Sequence, residues 1–291
     1  MNKLNKLLQK NTVLISDGAT GTNLQQRGLS KGIAPEVWVL EKPDEIIRLE
    51  REFISAGSDI ILTCTFGASS IRLAQNGIVG KTAEINNTAV QLAKQVVDGK
   101  EVLIGGSIGP LGRMLKPYGD LDIEIAKSNF VEQVEFLANA GVDIFVIETQ
   151  YDLVEARLAI EAAQKFYSIP IVCSFSFDRG TRTMMGVKPS QAANELKHTG
   201  IAAMGINCGK NLEDNLKCLI ELRHTTHLPI WFKPNAGLPE VDETGNLIYS
   251  VTPKMMSEQA PKWVAEGASI IGGCCGTTPD HIKAITSAIT Q

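Results

Sequence analysis

The sequence predicts a single (β/α)₈ barrel spanning residues 1–291, and three observations carry that prediction. Short, β-branched apolar runs recur about every 35 residues, eight in all. Most lack polar alternation, as suits parallel strands buried on both faces. Helical patterns fill the intervals, and polar residues collect at the C-terminal end of the runs, where barrel enzymes keep their sites. At 291 residues the length alone would suggest two domains, but α/β barrels often exceed that prior as one unit.

The first run is VLISDGA (13–19). The segment DEIIRLEREFISAG follows with apolar residues at helical spacing and Gly57 as a stop. DIILTCTF (59–66) and EVLIGGSIG (101–109) are the second and third runs. A long loop, GPLGRMLKPYGDL (109–121), precedes a helix within 120–140, whose face is expected to be Ile125, Phe130, Val134 and Leu137, ending at Gly141. DIFVIET (143–149), PIVCSFSF (170–177), IAAMGINC (201–208) and PIWFKPNAG (229–237) are the next four. A second long loop, 237–250, carries a hairpin tip at Asp242 to Asn246. ASIIGGCCG (268–276) is the eighth run. Thr278-Pro279-Asp280 then opens the last helix with a cap residue, a first-turn proline and an acid at the positive dipole end.

Composition excludes several functions. Apolar residues make up 44%, enough for a large core, and the net charge of −4 with no Lys/Arg run argues against nucleic acid and membrane surfaces. The N-terminal MNKLNKLLQKNT is too short and polar for a signal peptide, no segment approaches a membrane span, and a cytoplasmic protein is expected. DGATG lacks the spacing of a dinucleotide-binding fingerprint.

The polar strand ends are Asp17, Thr63, Cys64, Thr65, Ser107, Glu148, Thr149, Cys208, Asn235, Cys274 and Cys275. Of the six cysteines, Cys173 and Cys218 read as small core residues. Cys208 ends the sixth strand, and Cys274 and Cys275 end the eighth. Alternate strands contribute to one interior layer of a barrel, so these thiols can converge across the seventh strand. Neighbours on a regular strand face opposite ways, so Cys274 and Cys275 require a break in the pleat, which the flanking glycines permit. Three converging thiolates suit Zn²⁺, with an open fourth position if the site is catalytic. None of the four histidines ends a strand, and His281 is expected to be solvated on the last helix. A vicinal disulfide or a pair of core thiols is the plainer alternative. Three thiolates make zinc a poor Lewis acid towards water but a good partner for another thiol, which favours a sulfur nucleophile over hydrolysis.

DGATGT (17–22), TF (65–66), IGP (108–110), IET (147–149), GINC (205–208), PNAG (234–237) and GGCCGTTPDHI (272–282) together resemble the homocysteine S-methyltransferase family. The likeness runs in order from about residue 11 onwards, and is close to the homocysteine-binding barrel of cobalamin-dependent methionine synthase. GINC with GGCCG is its most specific part.

The resemblance implies a methyltransferase forming methionine, with zinc on Cys208, Cys274 and Cys275 and the homocysteine sulfur as fourth ligand. It implies that Asp17 and Glu148 hold the substrate ammonium and that backbone N–H groups around Ala19 and Thr20 take its carboxylate. Asn235 is implied to approach the zinc when substrate is absent. Cys64 stands where methionine synthases usually carry asparagine. No D-x-H-x-x-G, the cobalamin-ligating pattern, is present. The methyl donor is therefore either a small molecule, such as S-methylmethionine or a betaine, or methylcobalamin carried by a separate corrinoid protein; the likeness to methionine synthase points to the corrinoid partner.

Two other classes remain open at this level. Lys233, at the end of the seventh strand, could form a Schiff base in a lyase, the plainer expectation being a salt bridge near the rim. A non-catalytic zinc-thiolate module that binds a thiol, or a redox sensor built on Cys274-Cys275, is the other.

Overall fold

A computed structural model describes residues 2–11, 13–241 and 247–290. The eight expected runs form one parallel sheet: β1 (Leu14–Ile15), β2 (Ile60–Leu62), β3 (Leu103–Ile108), β4 (Ile144–Gln150), β5 (Ile171–Phe175), β6 (Ala203–Cys208), β7 (Ile230–Pro234) and β10 (Ala268–Ile271). Between β7 and β10 stands an antiparallel hairpin of β8 (Pro239–Val241) and β9 (Leu247–Tyr249). The expected tip, Asp242 to Asn246, lies outside the described residues. The order around the sheet is β1-β10-β7-β6-β5-β4-β3-β2. A parallel bridge from Ser16 to Ile60 brings β1 back to β2, so the sheet is a (β/α)₈ barrel.

That seam is held by side chains as well as backbone, because β1 is only two residues long. Asp17 donates its N–H to Ile60 O (3.0 Å) and accepts the Leu62 N–H on Oδ2 (2.7 Å). Asp59 reciprocates, accepting the Ile15 N–H at 2.8 Å.

The barrel interior follows the period of two. Leu14, Ile60, Leu62, Leu103, Ile144, Val146, Val172, Ala203, Trp231 and Ile270 meet in one cluster, joined at the N-terminal end by Leu4 and Leu7 of the helix Lys3–Lys10. Further along the strands the same phase gives Ser107, Glu148, Ser174, Asn207 and Lys233, all buried. The polar layer is thus the top of the apolar stack.

The helices Pro43–Ser55, Ile123–Ala140 and Pro279–Ile289 occupy the expected places, the first two followed by left-handed Gly57 and Gly141. One face differs. Ile125 is 52% exposed, and Ala126 rather than Ile125 begins the buried stripe through Phe130, Val134 and Leu137. Asp122 caps the helix at Glu124 N, which sets Ile125 within the exposed first turn.

The 109–121 loop packs down through buried Leu111, Leu115 and Leu121. Its anchor is Glu155, whose buried carboxylate accepts the Leu111 N–H at 2.7 Å. Burial pushes this carboxyl up to about 7, with the Leu111 bond opposing. The native chain therefore holds a proton there that the unfolded chain releases above the ordinary carboxylate value. Stability should fall as pH rises from about 4.5 to about 7, by on the order of 3 kcal/mol from this group. Glu155→Gln should flatten that slope in urea unfolding at about pH 5 and about pH 8; an unchanged slope would remove Glu155 as its source.

Candidate active site

Cys208, Cys274 and Cys275 come together at the C-terminal mouth of the barrel, their sulfurs all within 4.8 Å of one another. The Cys208 and Cys274 sulfurs are 2.8 Å apart. Cys274 arrives in regular phase with Gly272 and Ile270, and its N–H extends the ladder to Pro234 O (2.9 Å). Cys275 then turns back. The turn needs bare backbone on both sides: a Cβ on Gly273 would meet Thr277 Oγ1 at 2.3 Å. Gly276, at φ +80°, would collide with the Tyr249 ring at 2.2 Å.

Cys208 requires a second break, which the sequence does not announce. Following inward-facing Asn207, it would point outward on a regular strand. Its φ of 60° swings it to the mouth instead. Thr149, directly after inward-facing Glu148, shares the conformation at φ 59°. Such backbone costs roughly 1–3 kcal/mol per residue unless its surroundings hold it. Asn207 supplies part of that hold. Its Oδ1 accepts the Thr149 N–H and the Ser174 hydroxyl, each at 2.7 Å, and its Nδ2 donates to Thr149 Oγ1 at 2.6 Å. Nδ2 also lies 3.7 Å from the Cys208 sulfur and 3.8 Å from that of Cys274. The Cys208 carbonyl is fixed by Asn215 Nδ2 (2.7 Å) and by the Asn235 N–H (3.2 Å).

Asn207 was not among the expected polar strand ends, although a polar residue inside a buried apolar run was the available signal. We expect Asn207→Ala to lower zinc affinity roughly 10- to 100-fold while the fold persists, as for other groups that orient metal ligands. Competition titration with a chromophoric chelator reads this out, and an unchanged affinity would show that the thiols orient without it.

The chemistry of the three sulfurs fits zinc. A zinc–sulfur tetrahedron with bonds of about 2.3 Å has edges of ~3.8 Å, so the closest thiols need move apart by only about 1 Å. The Cys275 thiol is held well below the usual thiol range by hydrogen bonds from Cys208 and then Cys274, while Cys208, the sharing partner, is pushed up. Asn235 Oδ1 is buried with no hydrogen-bond partner among the described residues, while its Nδ2 donates to Gly209 O at 2.9 Å. An orphaned amide oxygen beside the Cys208 turn is a spare acceptor, with a lone pair free for a cation.

A cavity of about 540 Å³ opens onto the thiols. Glu148 and Lys233 line it, as do Ala19, Thr20 and Cys64. Ser107 Oγ donates to Glu148 Oε1 at 2.6 Å. Burial pushes the Glu148 carboxyl up to about 7, with Lys233 opposing and Cys274 adding. Cys64 is buried, and burial together with Glu36 and Glu50 keeps its thiol neutral, so it is a plain apolar wall where an amide was expected by family likeness.

The structure places four residues that the sequence singled out. Asp17 does not line the cavity: Oδ1 takes the Lys233 ammonium at 2.5 Å and the Ser16 hydroxyl at 3.2 Å, and Oδ2 takes the Leu62 N–H. Lys233 stands at the wall in its place. Burial alone would lower that ammonium, but Asp17 and then Glu148 hold it above its ordinary value. A buried lysine whose ammonium is held by Asp17 is a poor Schiff-base nucleophile, and the salt bridge is the outcome that the geometry shows. The Ala19 N–H is already used by Thr277, with O and Oγ1 both at 3.2 Å, which leaves Thr20 to offer an N–H to the cavity. His281, at 6% exposure, is not solvated. Its Nδ1 accepts the Thr278 N–H (3.1 Å) and its Nε2 donates to Val251 O (2.9 Å), so the ring closes the capping box of the last helix.

No helix among the described residues is long and apolar enough to cross a membrane. A family model for homocysteine S-methyltransferase matches residues 14–289. The methionine synthases of Mycobacterium leprae (strain TN) and Mycobacterium tuberculosis (strain ATCC 25618 / H37Rv) are 27% and 26% identical over 296 residues, covering 96% of this chain. The chain spans about a quarter of the length of those relatives, 24% and 25%. Among solved structures, the metallated form of the homocysteine methyltransferase MmuM from Escherichia coli is 26% identical with a TM-score of 0.84, over 98% of this chain and 99% of that one. Its oxidised form is 26% identical with a TM-score of 0.83, over 99% of each chain. With a match running from the first barrel strand into the last helix, across a mouth where three thiols converge, the chain belongs to the homocysteine S-methyltransferase family.

Proposed function

We propose that this chain acts as one barrel domain that methylates homocysteine to methionine, with zinc held by Cys208, Cys274 and Cys275. The observation that carries the reading is the convergence of three cysteine sulfurs at the mouth of a cavity that also presents Glu148. When bound, zinc supplies the positive charge that keeps the substrate thiol deprotonated near neutral pH. The chain's own residues bind and orient. Glu148 would hold the substrate ammonium and the Thr20 N–H its carboxylate, a reading supported by both residues lining the cavity. Asp17 contributes by fixing Lys233, whose charge helps keep Glu148 ionised. Ser107 orients the Glu148 carboxylate. Holding the thiolate in line with a methyl group is the main catalytic contribution, and the transfer needs no general base.

For the donor, a methylated corrinoid protein and a small sulfonium or betaine are the candidates that the family likeness offers. The experiment is methionine formation by zinc-loaded protein and homocysteine, with methylcobalamin, S-methylmethionine and glycine betaine tested in parallel. Methionine from any of them supports the reading. Homocysteine binding with no transfer from all three would leave a thiol-binding module instead.

A further inference from the structure

The glycines of the thiol stretch permit its turn but do not select it. Glycine populates left- and right-handed φ about equally, so Gly276 by itself would let Cys275 fall back into strand phase. On a regular strand that phase carries the Cys275 sulfur away from the side that Cys274 faces. Gly276 stands at φ +80°, so its surroundings must hold it there.

Three segments close on the turn. The Ala236 N–H donates to Cys275 O at 2.9 Å, and the Gly276 N–H donates to Thr22 Oγ1 at 3.2 Å. Both bonds hold the single peptide unit that joins Cys275 to Gly276. Against the Gly276 Cα beyond it lies the Tyr249 ring. A Cβ on Gly276 would sit 2.2, 2.4 and 2.7 Å from Tyr249 Cγ, Cδ1 and Cδ2.

Tyr249 ends β9, in a hairpin that an eight-stranded barrel does not require. It pairs with Pro239 on β8. Two residues on, the chain is fastened to the same neighbourhood. The Val251 N–H donates to Ala236 O at 3.0 Å, and His281 Nε2 donates to Val251 O at 2.9 Å. Ala236 thus ties the hairpin base and the thiol turn together, donating to one and accepting from the other. The hairpin is held where its half-buried Tyr249 covers the turn, while Ile248 next to it is exposed.

We propose that Tyr249 is a positioning residue for the metal centre: its ring selects the left-handed Gly276 and so keeps the Cys275 sulfur aimed at those of Cys208 and Cys274. The proposal rests on the zinc-thiolate reading above. With the ring removed, Cys275 would have to be reordered each time a metal binds, and that lost entropy opposes binding. The contact is made by ring carbons, so the hydroxyl plays no part in it.

The test compares full-length wild type with Tyr249→Ala, Tyr249→Phe and Ile248→Ala, by zinc competition titration and by the absorption of the cobalt-loaded proteins. Tyr249→Ala should weaken zinc roughly 10- to 100-fold, the range for groups that orient metal ligands. It should also lose about a third of the thiolate-to-cobalt charge-transfer absorption, as one thiolate of three leaves the metal. A general loss of stability would not move that intensity. Tyr249→Phe keeps the ring and should match wild type on both measures. Ile248→Ala, on the exposed side of the same hairpin, should match it too. If Tyr249→Ala does not fold, Tyr249→Leu carries the same comparison. Unchanged zinc affinity or full cobalt absorption in the ring-deleted variant overturns the proposal. So does an equal loss in Ile248→Ala or Tyr249→Phe, and the three-thiolate reading survives each of these results. A wild type that binds neither zinc nor cobalt would remove that reading itself.

Discussion

Cys208→Ser is expected to release zinc on desalting and to lower methionine formation by more than about 100-fold. Displacing a group that merely orients a metal ligand costs roughly 10- to 100-fold, and this change removes a ligand outright. Serine offers a hydroxyl that stays protonated, so two thiolates would remain for a metal that prefers a complete soft set. The change is nearly isosteric, and the backbone of residue 208 keeps its anchors in Asn215 and Asn235, so the fold should persist. Cys173→Ser and Cys218→Ser serve as controls. Both thiols are fully buried, away from the mouth, and are pushed up by burial. Those variants should keep zinc at one per chain even where they lose stability. Zinc by mass spectrometry on each variant, alongside turnover, decides the matter. A Cys208→Ser protein with full zinc and turnover within a few-fold of wild type would sink the three-thiolate centre.

Much of this architecture was legible because it depends on periodicity. Eight unalternating apolar runs with helical spacers admit few arrangements, and all eight form the barrel. The thiols were legible because clustered cysteines at strand ends, set in a bare Gly-Cys-Cys-Gly stretch, suit a metal far better than they suit a packed core. What escaped reading is what depends on backbone departures and on pairing between distant segments. Nothing in GINC says that Cys208 adopts a left-handed φ, yet that departure alone brings its sulfur to the other two. Asp17 carries the right charge for a substrate ammonium, but Lys233, 216 residues away in sequence, claims it first. His281 looked like a surface residue because a cap position lies at a helix start, and only the fold shows Val251 O above it.

Lys233→Met should be the most destabilising single change near the site. Lys233 is 2% exposed, bonded to Asp17 and 5.4 Å above the Trp231 ring that fills the barrel beneath it. Removing one partner of a buried pair leaves the other charge uncompensated, at a cost of about 3–5 kcal/mol. Asp17 is also the stitch between β1 and β2, so the loss falls where the barrel closes on its shortest strand. The urea midpoint of Lys233→Met should fall accordingly, and Asp17→Asn combined with Lys233→Met should recover much of the loss, because no buried charge is then stranded. Equal losses in the single and double variants would show that packing, not charge, holds this position. A second consequence reaches the substrate. Lys233 opposes the upward push of burial on Glu148, so without it that carboxyl should lie above about 7. A neutral carboxyl does not hold an ammonium. Homocysteine affinity of the variant should therefore be weak near neutral pH and improve as pH rises, whereas the wild type should reach its full affinity at lower pH. A pH profile that does not move between the two proteins would mean that Lys233 acts on the fold alone.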